Sequence, residues 1–400
     1  MFSIEGLLNR IAFRVADSFT AKHKTIFCDG FVAGQNWALV LYKNPVRMAK
    51  FFGGFYHSND KEVWAIVDCL LKKKYNVLLV DRRISLEKLA GLLDKECLSR
   101  ISLAICLIAP GLKNHLELLK KKSDGAMVGI HTSCDPKLSH NQVNAELKKI
   151  QERFPEFVYD ISKYQKNDLW QAQFMEYSVQ CLVVTAMDGG WAARSFSDYQ
   201  IDPMFIPPTG ILDESEQNSG FIGGRDICVL SGNPLEMKGG WRLFDIARSF
   251  PDRKIHVFSK ETRTFLGLFV KEQMPKNLIF HGLFPANGSY VKRITQNCGY
   301  ILSLSPFEGL STGIITGIQL GLLPIATEET GLGNTFEGLP FVRVDSDSNL
   351  IQDIASIVED RQIFEKNVGW REEFLKLVSM NNYRRKMTKA IGYVESLRVQ

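Results

Sequence analysis

The sequence predicts an α/β protein built from two successive halves, each a parallel sheet wrapped by helices. Three observations carry that expectation. Apolar, strand-like runs alternate with helix-like runs from residue 51 to residue 206. A polar, Pro- and Gly-rich stretch, PPTGILDESEQNSG at 207–220, then interrupts the pattern and reads as a linker. The alternation restarts at residue 227 and continues beyond residue 327. With 400 residues and 45% hydrophobic content, two domains of ordinary size are the default.

In the first half, strands are expected at 54–57, 76–81, 102–108, 127–132, 181–185 and 204–206. Helices are expected between them at 61–73, 86–93, 113–121, 141–153 and 169–177. In the second half, strands are expected at 227–230, 254–258, 278–281, 300–304, 324–327 and 342–344. Its helices fit at 239–250, 261–271, 289–296 and 311–320, and a helical stretch over 349–395 finishes the chain. Residues 1–24 stand apart. Ile4, Leu7, Leu8, Ile11, Val15 and Phe19 recur at helical spacing, with Arg10 and Arg14 off the stripe. That spacing describes an amphipathic helix that either packs on the protein or lies on a membrane surface. The expected division is therefore a helix at 1–24, one α/β domain at 25–210 and a second at 211–400.

Several classes are excluded. No run of about 18 apolar residues exists, and the longest, at 101–112, is broken by Pro110. The N-terminus lacks the apolar core and cleavage site of a signal peptide. Eight cysteines are scattered without a C-x-x-C or zinc spacing, which fits a reducing cytoplasm. The net charge of +5 sits wholly in the first half: residues 1–210 hold 27 Lys/Arg against 22 Asp/Glu, and the remainder 22 of each. The KKK runs at 72–74 and 120–122 suit an anionic membrane face or a phosphate-bearing acceptor, or else are solvated helix ends. A peripheral position on the inner face of a membrane follows from the first reading. No P-loop or G-x-G-x-x-G occurs, and no nucleic-acid partner is expected. Asp345-Ser346-Asp347 reads as helix capping, so no metal is expected.

The segment SLSPFEGLSTGIITGIQLGLLPIATEETG, from Ser303 to Gly331, is the most informative. An apolar strand ends at Ser305-Pro306, and Glu308 follows at its carboxyl end. Gly309 allows close approach of the backbone to a ligand. Ser311 or Thr312 can cap a helix whose first N–H groups suit an anion. Lys238, before Gly239, opens a helix after the apolar strand 227–230, where a compact ammonium suits a diphosphate. His131 ends the apolar strand 127–132, and in a parallel sheet it should reach the crevice at the carboxyl ends of the strands.

At these residues the chain resembles the group 1, retaining glycosyltransferases of GT-B fold, which use nucleotide-diphospho-sugars. Glu308-Gly309 and Gly321-Leu322-Leu323-Pro324-Ile325 match the E-G and G-x-P-[VIL]-[IV] of that family. The wording is similar to a bacterial subset found with surface-polysaccharide enzymes. The resemblance implies two Rossmann-like domains facing each other across a cleft, with the donor on the second. It implies that Glu308 holds sugar hydroxyls and that Gly309, Leu310, Ser311 and Thr312 meet sugar or diphosphate. It further implies that Lys238 neutralises the leaving diphosphate, that His131 stands near it, and that the backbone at Gly282 reads the base. The family's second Glu, a ribose ligand, is Thr316 here, and the Arg that commonly precedes the Lys is missing, with Arg242 the nearest cation. The implied function is sugar transfer from a nucleoside-diphosphate-sugar to a glycan or lipid-linked acceptor. A non-catalytic scaffold of the same fold, or a sugar-nucleotide epimerase, are the alternatives.

Overall fold

The computed structural model describes residues 13–15, 25–28, 36–42, 58–94, 101–108, 112–122, 126–132, 135–156, 179–197, 202–231, 235–259, 274–282, 284, 288–332, 347–360 and 362–397. Their strands form two sheets. The first contains β1 (Phe13–Val15), β2 (Thr25–Cys28), β3 (Trp37–Tyr42), β4 (Asn76–Asp81), β5 (Ile101–Leu107), β6 (Ala126–His131), β7 (Cys181–Val184) and β8 (Met204–Phe205), in the order β1-β2-β4-β3-β5-β6-β7-β8. From β4 to β8 every pairing is parallel, whereas β1 and β2 add antiparallel strands at one edge. Every residue of β3, β4, β5 and β6 is buried, the signature of a sheet covered on both faces.

The second sheet contains β9 (Asp226–Leu230), β10 (Ile255–Phe258), β11 (Leu278–Phe280), β12 (Cys298–Ser303) and β13 (Leu323–Ala326), all parallel, in the order β11-β10-β9-β12-β13. The chain winds outward from β9 to β11, then returns to place β12 on the other side of β9. The β9/β12 boundary is thus the switch point, where α/β sheets open a ligand crevice.

Helices cover both sheets. They are α1 (Ser58–Lys72), α2 (Leu86–Leu93), α3 (Lys113–Lys122), α4 (Pro136–Arg153), α5 (Trp191–Arg194), α6 (Leu243–Ser249), α7 (Ser289–Thr295) and α8 (Thr312–Gln319). At the C-terminal end come α9 (Asp347–Glu359), α10 (Ile363–Lys366), α11 (Val368–Leu377) and α12 (Met380–Ser396). Helix α4 begins earlier than its apolar pattern suggests, because Asp135 caps it through the Leu138 N–H and Pro136 stands in its first turn. Lys72 and Lys120–Lys122 occupy the last turns of α1 and α3, where positive charge complements the helix dipole. No described helix is long and apolar enough to cross a membrane.

Three expectations need correction. The six-residue strand β3 has no counterpart in the sequence reading, although it sits between β4 and β5. The helix expected over 1–24 is a strand at its described residues. Phe13 and Val15 flank Arg14 in the alternation a strand uses, and β2 supplies antiparallel partners. The helix expected from Gly239 starts only at Leu243, after 3-10 turns at Glu236–Lys238 and Gly240–Arg242. Gly239 between them has φ +75°, and a Cβ there would meet Leu304 O at 2.3 Å. The stretch read as a linker is buried from Ile206 to Leu212. The strands expected at 54–57 and 342–344 and the helices at 169–177 and 261–271 lie outside the described residues.

The two halves are joined by more than this linker. Thr209 N–H donates to Glu62 on α1 at 2.9 Å, and Lys61 pairs with Asp213 at 2.6 Å. On the other side, the Gln319 side chain on α8 accepts from Leu212 N–H at 3.0 Å and donates to Leu212 O at 3.2 Å. Helix α12 crosses back to the first half, where Tyr383, Met387, Ala390, Ile391 and Val394 enter its core. Glu395 holds it there through Lys73 and Tyr75. In the opposite sense, Val143, Leu147 and Ile150 of α4 enter the core of the second half.

Candidate functional site

The site is built where β9 and β12 end side by side. After β12, Ser305 to Leu310 turn across the top of the sheet and lead into α8. Glu308 lies in this turn, and its Oε1 stands 2.7 Å from the Nζ of Lys238, which comes from the loop after β9. The two side chains are 23% and 19% exposed, so each keeps a face open to a ligand. Lys238 also donates to Phe307 O at 3.4 Å and sits 4.4 Å from the centre of the Phe307 ring. Phe307 itself packs against buried residues of both halves, which puts this turn at their junction. Below Lys238, a cavity of about 20 Å3 lies among Leu230, Ser231, Gly239, Ser303 and Leu304. That is room for about one water.

Gly309, Leu310 and Ser311 are all buried in the same turn. Ser311 occupies the N-cap position of α8, and its N–H donates to Thr330 O at 3.0 Å. Its hydroxyl makes no capping bond. The first N–H groups of α8, starting at Thr312, therefore lack the usual side-chain acceptor and can serve an anion. Helix α8 is held close to the sheet, for a Cβ on Gly317 would meet Ile301 side-chain atoms at 2.5 Å. The arrangement brings together one carboxylate and one helix start from the turn after β12 and one ammonium from the loop after β9.

Thr316 is elsewhere. It is 1% exposed, donates to Thr312 O at 2.8 Å and accepts from Ile211 N–H at 3.5 Å. Its hydroxyl faces the linker. Arg242 is likewise unavailable as a second cation: it is 2% exposed and clasped by Glu146 of α4 at 2.5 and 3.2 Å. Trp241 Nε1 donates to the same carboxylate at 2.7 Å. This lock was not anticipated from the sequence; the only local hint is a Glu beside the buried Val143, Leu147 and Ile150 face of α4.

His131 ends β6 and is 4% exposed, with its ring edge-on to Phe196 at 5.8 Å and its carbonyl accepting from Thr185 N–H. Its position is the carboxyl end of the first sheet, and Phe307 packs on the cluster that contains Phe196. Gly282 follows β11 with φ +80° and open space at its Cβ. It lies at the sheet edge, two strands from β9. Beside it three polar side chains stand in a row. His256 Nδ1 and His281 Nε2 are 2.9 Å apart, and His281 Nδ1 is 2.8 Å from the Tyr290 hydroxyl. Burial pushes both imidazoles below their ordinary pKa, and their mutual proximity lowers His281 further. Among the described residues, no group of three or more His, Cys, Asp or Glu side chains converges as metal ligands.

The fold matches known structures, although the sequence is far from them. No protein-family model matches the chain, and no curated protein matches it in sequence. A trehalose-phosphate synthase (UDP-forming) of Burkholderia vietnamiensis superposes with a TM-score of 0.59 at 10% identity, over 92% of this chain and 99% of that one. Anabaena HepE, solved with UDP and glucose, gives 0.59 at 10% identity over 90% and 100%. Staphylococcus aureus TarM, solved with UDP and α-GlcNAc-glycerol, gives 0.54 at 11% identity over 76% of this chain. The chain spans only 58% of that TarM chain. Two facing α/β sheets, joined by a buried linker and a returning C-terminal helix, give this chain the GT-B glycosyltransferase fold.

Proposed function

We propose that the chain is a glycosyltransferase that moves a sugar from a nucleoside-diphosphate-sugar to a glycan or lipid-linked acceptor, with retention, in polysaccharide synthesis. The observation that carries this reading is the Lys238–Glu308 pair beside the uncapped start of α8, at the switch point of the second sheet. A diphosphate takes Lys238 and the α8 N–H groups, while Glu308 accepts from sugar hydroxyls. The nucleotide lies along the second domain, 211–400, with its base near Gly282. The acceptor enters from the first, 25–210, on the His131 side. Stabilisation of the departing diphosphate supplies most of the rate, without a metal ion. UDP-bearing neighbours of the same fold make uridine diphosphate the first probe to use.

A second reading, a non-catalytic scaffold of this fold, is favoured by two observations: Thr316 is turned to the linker, and Arg242 is locked to Glu146. Release of UDP from UDP-glucose or UDP-N-acetylglucosamine, with and without glycan acceptors, separates the two. Turnover that disappears in Lys238→Ala supports the transferase. Nucleotide-sugar binding with no release of UDP from any donor supports the scaffold.

A further inference from the structure

Lys238 is held by a short stretch that has little stability of its own. Residues 236–242 form two single 3-10 turns broken by Gly239, with short backbone bonds from Lys238 and Gly240 to Leu235 O, from Arg242 to Gly239 O and from Leu243 to Gly240 O. Isolated 3-10 turns of this length need support from outside. Part of it comes from Met237 and Trp241, buried in the second core. The polar part comes from the other half of the molecule. Glu146 on α4 takes Trp241 Nε1 at 2.7 Å and both Arg242 amino groups at 2.5 and 3.2 Å, with Glu146 and Arg242 each 2% exposed. A carboxylate so buried is fixed in direction by three charge-assisted or indole N–H bonds. Helix α4 also starts at Asp135, four residues after His131, and Asp135 N–H is bound by Ser195 Oγ at 2.9 Å.

We propose that Glu146 is a positioning residue for the diphosphate site: from the first half it fixes the 236–242 turn and thereby sets the Lys238 ammonium against Glu308 and the start of α8. The inference rests on the reading of Lys238 as the diphosphate cation. Helix α4 thus ties the two candidate polar groups of the opposing halves, His131 before its first turn and Lys238 through Glu146.

The test uses the whole chain. The double variant Glu146→Leu/Arg242→Leu removes both buried charges together, avoiding the lone buried ion that either single change leaves. Asp245→Asn is the control; it weakens a further tie between α4 and the second half, the Arg153–Asp245 pair at 2.7 Å, and leaves the Glu146 bonds to Trp241 and Arg242 in place. Binding of UDP and of uridine is measured by calorimetry. The double variant should lose at least tenfold in UDP affinity and keep its uridine affinity, and adding Lys238→Ala to it should cost little more. The control should bind both like the wild type. A parallel fall in UDP and uridine affinity, or a full additive loss from Lys238→Ala, would mean a merely structural clamp and overturn the proposal. Should the wild type bind neither UDP nor GDP, the donor-site reading fails on its own account. Amide exchange over 235–242 then decides: faster exchange in the double variant but not in the control supports the positioning role, and unchanged exchange refutes it.

Discussion

Replacing Glu308 by Gln separates the sugar from the nucleotide. In the ligand-free chain, Glu308 Oε1 is 2.7 Å from Lys238 Nζ, with both side chains about a fifth exposed. An ion pair at that exposure contributes at most about 1 kcal/mol, so the folded state should hardly notice the amide. The sugar should notice it. A hydrogen bond from a hydroxyl to a carboxylate contributes about 1.5–3 kcal/mol. Its loss corresponds to a roughly 10- to 150-fold fall in turnover. The nucleotide responds with the opposite sign. Glu308 and a diphosphate compete for one ammonium, so removing the carboxylate charge frees Lys238 and should raise UDP affinity by up to about fivefold. Release of UDP from a nucleotide-sugar measures the first effect, and calorimetry with UDP the second. Turnover unchanged from wild type, or UDP affinity reduced tenfold, would refute the assignment of Glu308 to the sugar and Lys238 to the diphosphate.

Lys238→Ala should weaken UDP at least tenfold while leaving uridine unaffected; equal effects on both ligands would show that the ammonium does not meet the diphosphate. Thr316→Glu, which would restore the family's second carboxylate, should not tighten nucleotide binding. Thr316 is 1% exposed under Ile211, so the larger charged side chain must displace the linker and should cost about 2–4 kcal/mol, read from urea midpoints. Tighter UDP binding in that variant would place the ribose beside α8 after all. Burial holds His256 and His281 below the ordinary value of 6.5 in the folded chain. The unfolded chain therefore takes up more protons just below pH 6.5, and stability should fall as pH drops through that value toward the folded pKa values. His256→Asn/His281→Asn should flatten the difference in urea midpoint between pH 7.5 and 5.5, and an undiminished difference would remove these two groups as its cause.

The second half was legible because its signals are local. The strand before Glu308, the Gly-rich turn and the helix before Leu323-Pro324-Ile325 lie within thirty residues, and each is set by its own apolar run and turn chemistry. What escaped the sequence is held by distant partners. Strand β3 is six buried residues without alternation, and its place is set by β4 and β5 from later in the chain. The linker's polar composition gives no sign of its burial, which rests on Glu62 and Gln319 meeting its backbone from more than one hundred residues away. Arg242 stood out only as the cation nearest Lys238, and its pairing was hidden for the same reason, since Glu146 lies 96 residues before it. The strand at Phe13–Val15 shows the converse failure: a helical spacing of apolar residues also contains a short alternation, and pairing with β2 selects the strand.

The most direct test of the account is a thermal-unfolding titration with UDP, GDP and their nucleosides, in EDTA throughout. A site made of Lys238 and the start of α8 should bind one of the nucleoside diphosphates without a metal. At 100 times its dissociation constant that ligand should stabilise the fold by about 2.7 kcal/mol, with the matching nucleoside giving much less. Stabilisation that appears only when magnesium or manganese replaces EDTA, or that is absent for every nucleoside diphosphate, would contradict the account.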